Sequence, residues 1–281
     1  MVSFYTIGEL CQALAVSRSG YYAWQGRRPG PRAQQNQQLR SKLQELFEGN
    51  RRVYGSPRMT VSLRQAGLKC SRNRVARHMR ALGLRARQKR AFKPRTTDSN
   101  HPHPIAPNLL AQTTAKAPNE VWVSDITYIS TRQGWVYLAG VMDLWSRKIV
   151  GWACADHLKS SLVKTALKQA VAARRPRPGL LSHSDQGVQY ASDEYRQLLR
   201  KIKSTASMSG AGCCYDNAAM ESFWSTLKTE WLHDKDFATL QEAQRAIFDY
   251  IETFYNPRRL HSALGYQSPV DFELEPLNEK S

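Results

Sequence analysis

The chain has 281 residues, of which 41 are Lys or Arg and 23 are Asp or Glu, so its formal net charge is +18. This length accommodates one large or two modest domains with hydrophobic cores. No apolar run reaches the roughly 20 residues that a membrane span needs, and the N-terminus lacks the apolar stretch of a secretory signal peptide. The five cysteines have no zinc-site spacing and are predicted to be reduced thiols. We therefore expect a cytoplasmic protein without membrane segments.

The positive charge is concentrated in the first part of the chain. Residues 1–120 contain 22 Lys+Arg and 5 Asp+Glu, a net of +17, whereas residues 121–281 contain 19 and 18, a net of +1. A basic segment rich in arginine suits a polyanionic backbone, because binding to phosphates releases condensed counterions. The alternative is solvated surface charge that keeps the protein in solution. The distribution favours nucleic acid as the partner of residues 1–120.

Residues 1–30 are predicted to be a short helical N-terminal segment. The apolar spacing from Thr6 to Leu14 indicates one helix, and Ser17 is placed to cap a second. The Arg-Arg-Pro-Gly-Pro sequence at residues 27–31 is expected to end this helical pattern.

Residues 33–92 are predicted to form a helix-turn-helix-like DNA-binding domain. One helix starts at Ser56 and closes at Gly67, and the next is capped by Ser71 and ends at Gly83. In this second helix Val75, Ala76, Met79 and Leu82 are apolar, and the polar side chains are expected to face outward, His78 among them. The candidate contacts to phosphates or base edges are Arg72, Asn73, Arg74, Arg77 and Arg80. The alternative is a surface helix with solvated arginines.

The next two segments differ in periodicity. Residues 93–118 contain five prolines among Thr, Asn and His, which predicts a semi-extended Pro-rich linker.

Residues 119–270 are predicted to be an α/β catalytic core, and residues 271–281 a tail. The core begins with three β-rich runs, at 121–130, 135–144 and 148–155, followed by a helix at 160–173 and a short buried strand at 180–185. A helix near 192–200, a strand near Ser204 and long helices at 216–233 and 240–255 complete a mixed sheet.

Three acidic residues of this core are candidate metal ligands. Asp125 lies within an apolar strand, Asp185 at the carboxyl end of another strand, and Glu221 on a helix. Hard cations such as Mg²⁺ take oxygen ligands, and two ions can activate the attacking oxygen and stabilise the leaving one in phosphoryl transfer. The alternative is ordinary ion pairing or helix capping, which is how we interpret Asp216 and Asn217.

Lys228 is a candidate contact for a DNA phosphate. It follows Glu221 by seven residues, which is close to two helical turns at about 3.6 residues per turn, so both side chains are expected on one face. The alternative is an ordinary surface lysine.

Four sequence blocks together resemble a known family. They are PNEVWVSDITYI at 118–129, HSDQGVQY at 183–190, DNAAMESFW at 216–224 with Leu227-Lys228, and YNPRRLHSALGY at 255–266 followed by Ser268-Pro269. The blocks resemble the integrase-type core of bacterial insertion-sequence transposases of the IS3 family, and the similarity extends over roughly residues 15–272. The family often has a basic pair after Ser209 and an Asn at position 213, whereas this chain has Gly210-Ala211 and Cys213.

The resemblance implies an RNase H-like fold, as in retroviral integrases, and a DDE triad of Asp125, Asp185 and Glu221. It implies that this triad binds two Mg²⁺ ions, with Mn²⁺ as an expected substitute. The reaction would be 3′-end cleavage at the terminal inverted repeats of the element, followed by attack of the freed 3′-hydroxyl on target DNA.

The partners expected from the resemblance begin with double-stranded DNA, as terminal repeats and as target. Further copies of the chain on that DNA and the upstream-frame protein, as a fusion or a partner, are also expected. The expected location is the bacterial nucleoid. This chain shows no heptad series and so resembles the downstream frame alone.

Two other functions are compatible with these features. A DNA-binding regulator would occupy repeat ends without cutting them. An RNase H-type nuclease would share the carboxylates but leave the basic N-terminal part unexplained.

Overall fold

The computed structural model describes residues 5–26, 30–87, 104–210 and 217–275. The chain divides into two compact units, Met1–Arg85 and Ala86–Ser281. No helix within the described residues combines the length and the apolarity needed to cross a membrane.

The first unit is helical. Thr6 and Glu9 form a reciprocal capping box at the first helix, and Ser17 caps the second, as predicted. The second helix ends at Gln25, before the Arg-Arg-Pro-Gly-Pro sequence, as predicted. Pro31 then begins the third helix, where a proline in the first turn loses no helical hydrogen bond. The helices are α1 (Ile7–Ala13), α2 (Arg18–Gln25), α3 (Pro31–Gly49), α4 (Ser56–Gln65) and α5 (Arg72–Ala81).

The turn between α4 and α5 follows the predicted chemistry. Gly67 and Gly83 have positive φ angles of 83° and 67°, which glycine adopts without strain, and each follows the end of its helix. The hydroxyl of Ser71 accepts a hydrogen bond from the backbone N–H of Arg74 and so caps α5. A helix, a turn and a second helix are thus present where the sequence predicted them.

The second unit is built on a five-stranded mixed sheet in the order β3-β2-β1-β4-β5. β1 pairs antiparallel with β2, β2 pairs antiparallel with β3, and the β1-β4 and β4-β5 pairs are parallel. The predicted strands are confirmed with ends shifted by one or two residues, apart from β5, for which the sequence indicated only the position. The strands are β1 (Val121–Thr131), β2 (Gly134–Asp143), β3 (Ile149–Ala155), β4 (Leu181–Ser184) and β5 (Thr205–Met208).

Helices pack on both faces of this sheet. The core on one face joins Trp122 and Val141 to apolar side chains of α6 (Ser160–Arg174), and it extends to α7 (Val188–Ala191) and α8 (Asp193–Lys201). A Cβ at Gly151 of β3 would approach the Ala166 carbonyl oxygen to 2.3 Å, so α6 needs a glycine there. Against the opposite face lies α9 (Ala218–Leu227), which precedes α10 (Leu240–Tyr250), α11 (Asn256–Arg258) and α12 (Pro269–Leu274).

The two long helices are not α-helical throughout. Lys228–Leu232 continues α9 and Ile251–Tyr255 continues α10 in π-helical geometry. A buried ion pair holds the first of these segments: the Arg259 guanidinium donates to both carboxylate oxygens of Glu230 at 2.6 and 2.8 Å, and the Tyr250 hydroxyl donates to one of them at 2.6 Å. The C-terminal block that contains Arg259 is therefore anchored to the segment that follows α9.

Both edges of the sheet are covered. At the β3 edge, the Asn256 amide bonds both the N–H and the carbonyl of Ile149, at 3.0 and 2.9 Å, and the Gln169 side chain accepts from the N–H of Trp152 at 3.4 Å. At the β5 edge, the Met208 N–H donates to the Pro107 carbonyl at 3.4 Å.

Two predicted boundaries need correction. The predicted tail begins too early at residue 271, because α12 continues to Leu274 and Glu273 forms ion pairs with Lys148 and Arg174. Within the predicted linker, residues 93–103 lie outside the described part. Pro107 lies against β5, and Leu110–Gln112 forms a 3₁₀ turn.

Candidate active site

Asp125 is located in the middle of β1, as predicted. Its side chain is half-buried, and both carboxylate oxygens accept hydrogen bonds: Oδ1 from the backbone N–H of Ile126 at 2.8 Å and Oδ2 from the indole N–H of Trp224 at 3.0 Å. These bonds offset part of the cost of placing an acid within an apolar strand.

Asp185 follows directly after β4, which is the parallel neighbour of β1. The register pairs Val121 with Leu181 and Val123 with His183, an offset of 60 residues, and the same offset separates Asp125 from Asp185 two residues beyond the last of these pairs. Since neighbouring strands are about 4.8 Å apart, the two acids lie side by side at the end of β4. The strand order therefore brings together two residues that are far apart in sequence.

Hydrogen bonds fix the loop that carries Asp185. Its Oδ1 accepts from the backbone N–H of Gly187 at 3.0 Å. Two residues earlier, in β4, the buried His183 ring lies between the hydroxyls of Ser207 in β5 and Ser209 just after it. Its Nδ1 is 2.9 Å from Ser207 Oγ and its Nε2 is 3.1 Å from Ser209 Oγ. The Gln186 amide donates to the Ser209 carbonyl at 2.8 Å. The HSDQG block thus joins the end of β4 to the end of β5.

Glu221 lies in the first turn of α9, and its side chain is exposed. Trp224, three residues later on the same helix, is the residue that donates to Asp125. Glu221 is close enough for its charge to influence Asp125. The structure therefore brings the predicted trio into one region, on two adjacent strands and a helix that crosses them.

The pKa of Asp125 is raised from 3.8 to about 7. Burial is the largest cause, and the negative charge of Asp185 is the next. The hydrogen bonds from Ile126 and Trp224 oppose the shift, and Glu221 adds to it. Accumulated negative charge of this kind favours a proton or a cation beside Asp125.

The three acids are not gathered into a closed metal-binding group. Within the described residues, no set of three His, Cys, Asp or Glu side chains stands close enough to hold a metal ion. The charges of Asp185 and Glu221 both act on Asp125, and Glu221 has the most exposed side chain of the three.

A glycine allows α9 to approach the sheet at this point. Gly140 of β2 is paired with Asp125, and a Cβ at Gly140 would lie 2.7 Å from the Trp224 ring and 3.0 Å from the Met220 methyl. Any larger residue would therefore push α9 outward. Gly140 sets the distance between the helix with Glu221 and the strand with Asp125.

Lys228 begins the π-helical segment after α9. Its Nζ lies 4.7 Å from the centre of the Tyr128 ring, which is three residues after Asp125 on β1. Burial lowers the pKa of Lys228, and the charge of Asp125 opposes that shift. The ammonium group thus lies over Tyr128 and within range of the Asp125 charge.

The predicted cap of α9 is only partly described. Asp216 lies outside the described residues, as do residues 211–215 of the loop. Asn217 occupies the N-cap position, but its side chain makes no capping bond, which corrects that expectation, and instead its amide donates to the Ser124 carbonyl at 3.3 Å.

The predicted DNA-contacting residues lie on the solvent side of α5. Arg72, Asn73, Arg77 and Arg80 are exposed, and Arg74 is half-buried. The expectation that His78 faces outward is wrong. Its ring is buried beside Val75 and Met79, and its Nδ1 accepts from Arg40 Nε at 3.2 Å.

Comparisons with known proteins identify the domains of this chain. Residues 34–92 match an HTH-like domain, and residues 115–214 and 202–269 match two models of an integrase core domain. A 31 kDa protein of insertion element IS600 from Shigella sonnei is 45% identical over 94% of this chain and 97% of its own length. Transposase InsF of insertion sequence IS3A from Escherichia coli K12 is 39% identical over 96% of this chain and 94% of its own.

The fold also matches a solved integrase. A simian T-cell lymphotropic virus intasome, in complex with a PP2A regulatory subunit, has a chain that aligns with a TM-score of 0.50 and 14% identity. The alignment covers 83% of this chain and 74% of that one. The mixed sheet thus has the RNase H-like fold of retroviral integrase cores, preceded by a helical HTH-like region, as predicted.

The fold and the paired acids define an integrase-type core. The chain belongs to the IS3 family of insertion-sequence transposases. Membership supports a role in DNA transposition through a polynucleotidyl transferase, and the HTH-like domain implies DNA binding.

Proposed function

We propose that this chain cuts DNA at the ends of its element and joins the freed 3′-hydroxyl to target DNA, with Asp125, Asp185 and Glu221 as the catalytic triad. The observation that carries the proposal is that β1, with Asp125, lies parallel to β4, which ends next to Asp185, and that the charges of Asp185 and Glu221 both act on Asp125. Three carboxylates with excess negative charge are suited to divalent cations, and such ions catalyse phosphoryl transfer.

The residues fit two Mg²⁺ ions by charge and by donor type. Asp125 and Asp185 would supply carboxylate oxygen ligands, since a carboxylate oxygen that accepts one hydrogen bond can also bind a cation. Glu221 would complete the set after its exposed side chain turns toward the pair. When bound, the ions would activate the attacking oxygen and stabilise the leaving one. Mn²⁺, which also accepts carboxylate ligands, is the expected substitute.

The protein residues around the pair position the DNA. The ammonium group of Lys228, held beside Tyr128, would contact the phosphate next to the cleaved bond. The indole of Trp224 would hold Asp125 in one orientation while the phosphate is bound. Positioning of this kind supplies much of the rate enhancement in phosphoryl transfer.

The remaining parts of the proposal concern assembly. The first unit would bind the terminal inverted repeats and the core would also bind target DNA, with two or more copies acting on one DNA complex. The upstream-frame protein would act as a fusion or a partner, at the nucleoid. Cross-linking of the chain on repeat DNA would measure the copy number.

The test compares neutral variants of the triad. We expect Asp125→Asn, Asp185→Asn and Glu221→Gln each to abolish Mg²⁺-dependent nicking and joining of labelled repeat DNA, while DNA affinity in a gel-shift assay stays at the wild-type level. Asp193→Asn is the matched control, because this acid lies on the surface at the start of α8 and pairs only locally with Arg196. Wild-type cleavage by any triad variant contradicts the role of that residue.

The same assay separates the other functions. A regulator would bind repeat DNA and give no nicked or joined product at any Mg²⁺ or Mn²⁺ concentration. An RNase H-type nuclease would cut an RNA–DNA hybrid and leave the repeat duplex intact. A nicked repeat duplex with a joined product supports the transposase.

A further inference from the structure

A basic cleft lies between α3 and α5 of the first unit. Its volume is about 410 Å³, and it is lined by Pro31, Arg32, Gln35, Asn36, Arg74 and Arg77. The lining combines three guanidinium groups with two side-chain amides, and it contains no carboxylate. Such a lining is complementary to an anion with several oxygen acceptors.

The positive charge of the cleft is not neutralised within the described part of the first unit. Residues 30–85 contain 13 Lys+Arg and only two acids. Glu45 pairs with Lys42 at 2.6 Å, and Glu48 pairs with Arg52 at 2.7 Å, both away from the cleft. The cleft therefore presents excess positive charge to an anionic ligand.

One wall of the cleft is already ordered for binding. The Arg74 guanidinium donates to Asn36 Oδ1 at 2.8 Å, and both side chains are half-buried. This bond fixes the direction of the guanidinium before any ligand arrives, which lowers the entropy cost of binding. No side chain caps α3 at Gly30, so the positive end of the helix dipole adds to the field at the same wall.

The directions of the α5 side chains distinguish contacts to base edges from contacts to the DNA backbone. Val75 and Met79 mark the buried face of the helix. At about 100° per residue, Asn73 and Arg80 point away from that face, whereas Arg74 points sideways toward α3. Arg77 lies between these directions. The outward residues can reach base edges in a groove, and the cleft lies to the side, where a strand backbone would run.

We infer that this cleft is an anchoring site for a backbone phosphate of duplex DNA, formed by Arg32, Arg74 and Arg77 with Asn36 as the positioning residue. The inference rests on the proposed function only in taking DNA as the ligand. It assigns phosphate binding to Arg74 and Arg77 and adds α3 to the DNA-binding surface.

The test measures DNA affinity of the full chain against salt concentration. Fluorescence anisotropy with a repeat duplex and a scrambled duplex, from about 50 to 300 mM salt, gives the slope of log affinity on log salt. We expect Arg32→Gln, Arg74→Gln and Arg77→Gln each to reduce the slope by about 0.9 and to weaken both duplexes equally, by roughly tenfold. Asn36→Ala, which releases Arg74, should weaken both duplexes less.

Lys42→Gln is the matched control, because it removes the same charge from α3 outside the cleft and is expected to leave the slope unchanged. An equal slope change in Lys42→Gln would overturn the inference, since the effect would then reflect net charge alone. A loss confined to the repeat duplex would also overturn it and would assign the arginines to base edges. Binding of an acidic peptide with no change in DNA affinity would assign the cleft to a protein partner.

The two proposals fail separately in these experiments. If the cleft variants show the expected slope changes but the wild-type chain never nicks repeat DNA, the proposed function is contradicted and the phosphate-binding role of the cleft is supported. Nicking of repeat DNA with unchanged slopes in all cleft variants contradicts the cleft alone. Thermal unfolding of each variant shows that the first unit remains folded.

Discussion

Replacing Trp224 by phenylalanine removes one hydrogen bond from Asp125 and retains an aromatic ring in the same place. The indole N–H donates to Asp125 Oδ2 at 3.0 Å, and the ring is only 5% exposed, packed over Gly140 and 4.8 Å from the Phe223 ring. A hydrogen bond to a charged acceptor contributes about 1.5–3 kcal/mol. Since 1.36 kcal/mol corresponds to a tenfold change in rate, we expect cleavage to slow by roughly 10- to 100-fold.

The indole bond acts on the orientation of the carboxylate and not on DNA binding. We therefore expect the DNA concentration at half-maximal rate to stay unchanged while kcat falls, and the Mg²⁺ concentration needed for half-maximal cleavage to rise. The assay is nicking of a labelled repeat duplex over a Mg²⁺ series, with calorimetric titration of Mg²⁺ as a readout independent of activity.

Trp231→Phe is the matched control. The Trp231 indole N–H donates to the Ala246 carbonyl at 2.8 Å, so the same atoms are lost from a half-buried ring away from the catalytic acids. We expect a comparable loss of stability and wild-type cleavage. Equal cleavage defects in both variants, after correction for the folded fraction, would refute the reasoning, as would a Trp224→Phe variant with unchanged kcat.

Three further predictions follow from other contacts. Gly140→Ala should displace α9, lower the free energy of unfolding by about 1–3 kcal/mol and reduce cleavage, as measured by urea titration and the nicking assay. Arg259→Met should leave Glu230 buried without its partner and cost about 3–5 kcal/mol of stability, whereas the double variant with Glu230→Leu should recover most of it. Because the pKa of Asp125 is raised, the carboxyl group binds its proton more tightly in the folded protein than in the unfolded chain. The protonated carboxyl group therefore contributes stability below about pH 4, and this contribution is lost as the pH rises from about 4 through 7. Urea unfolding at about pH 5 and pH 8 should show a larger pH-dependent loss in the metal-free wild type than in Asp125→Asn, and added Mg²⁺ should reduce that loss. An identical pH dependence in both proteins would contradict this cause.

The periodicity of the sequence was sufficient to predict where the helices and strands lie, but not how the strands are ordered in the sheet. The strand and helix positions followed from side-chain alternation and capping residues such as Ser71 and Gly83. The strand order did not, because which strands become neighbours depends on contacts distant in sequence. The closeness of Asp125 to Asp185 therefore became evident only from the parallel pairing of β1 with β4.

Two residues could have been identified by stricter use of helical spacing. Trp224 follows Glu221 by three positions, so helical spacing places it next to Glu221 on α9 and within reach of the site. His78 follows Val75 by three positions and precedes Leu82 by four, so its place in the buried stripe was readable despite its polarity. In contrast, Gly140 carries no local signal, because its role depends on a helix that lies about 80 residues later in the sequence. The π-helical segments likewise have no recognisable sequence pattern.

The covered edges of the sheet restrict how copies of this protein can associate. The Asn256 and Gln169 amides occupy backbone groups on the outer side of β3, and Pro107 occupies the outer side of β5. A strand from another molecule would have to displace these bonds before it could extend the sheet. An assembly on DNA is therefore expected to use side-chain surfaces, which can separate again after strand transfer, in place of a continuous intermolecular sheet that would resist disassembly.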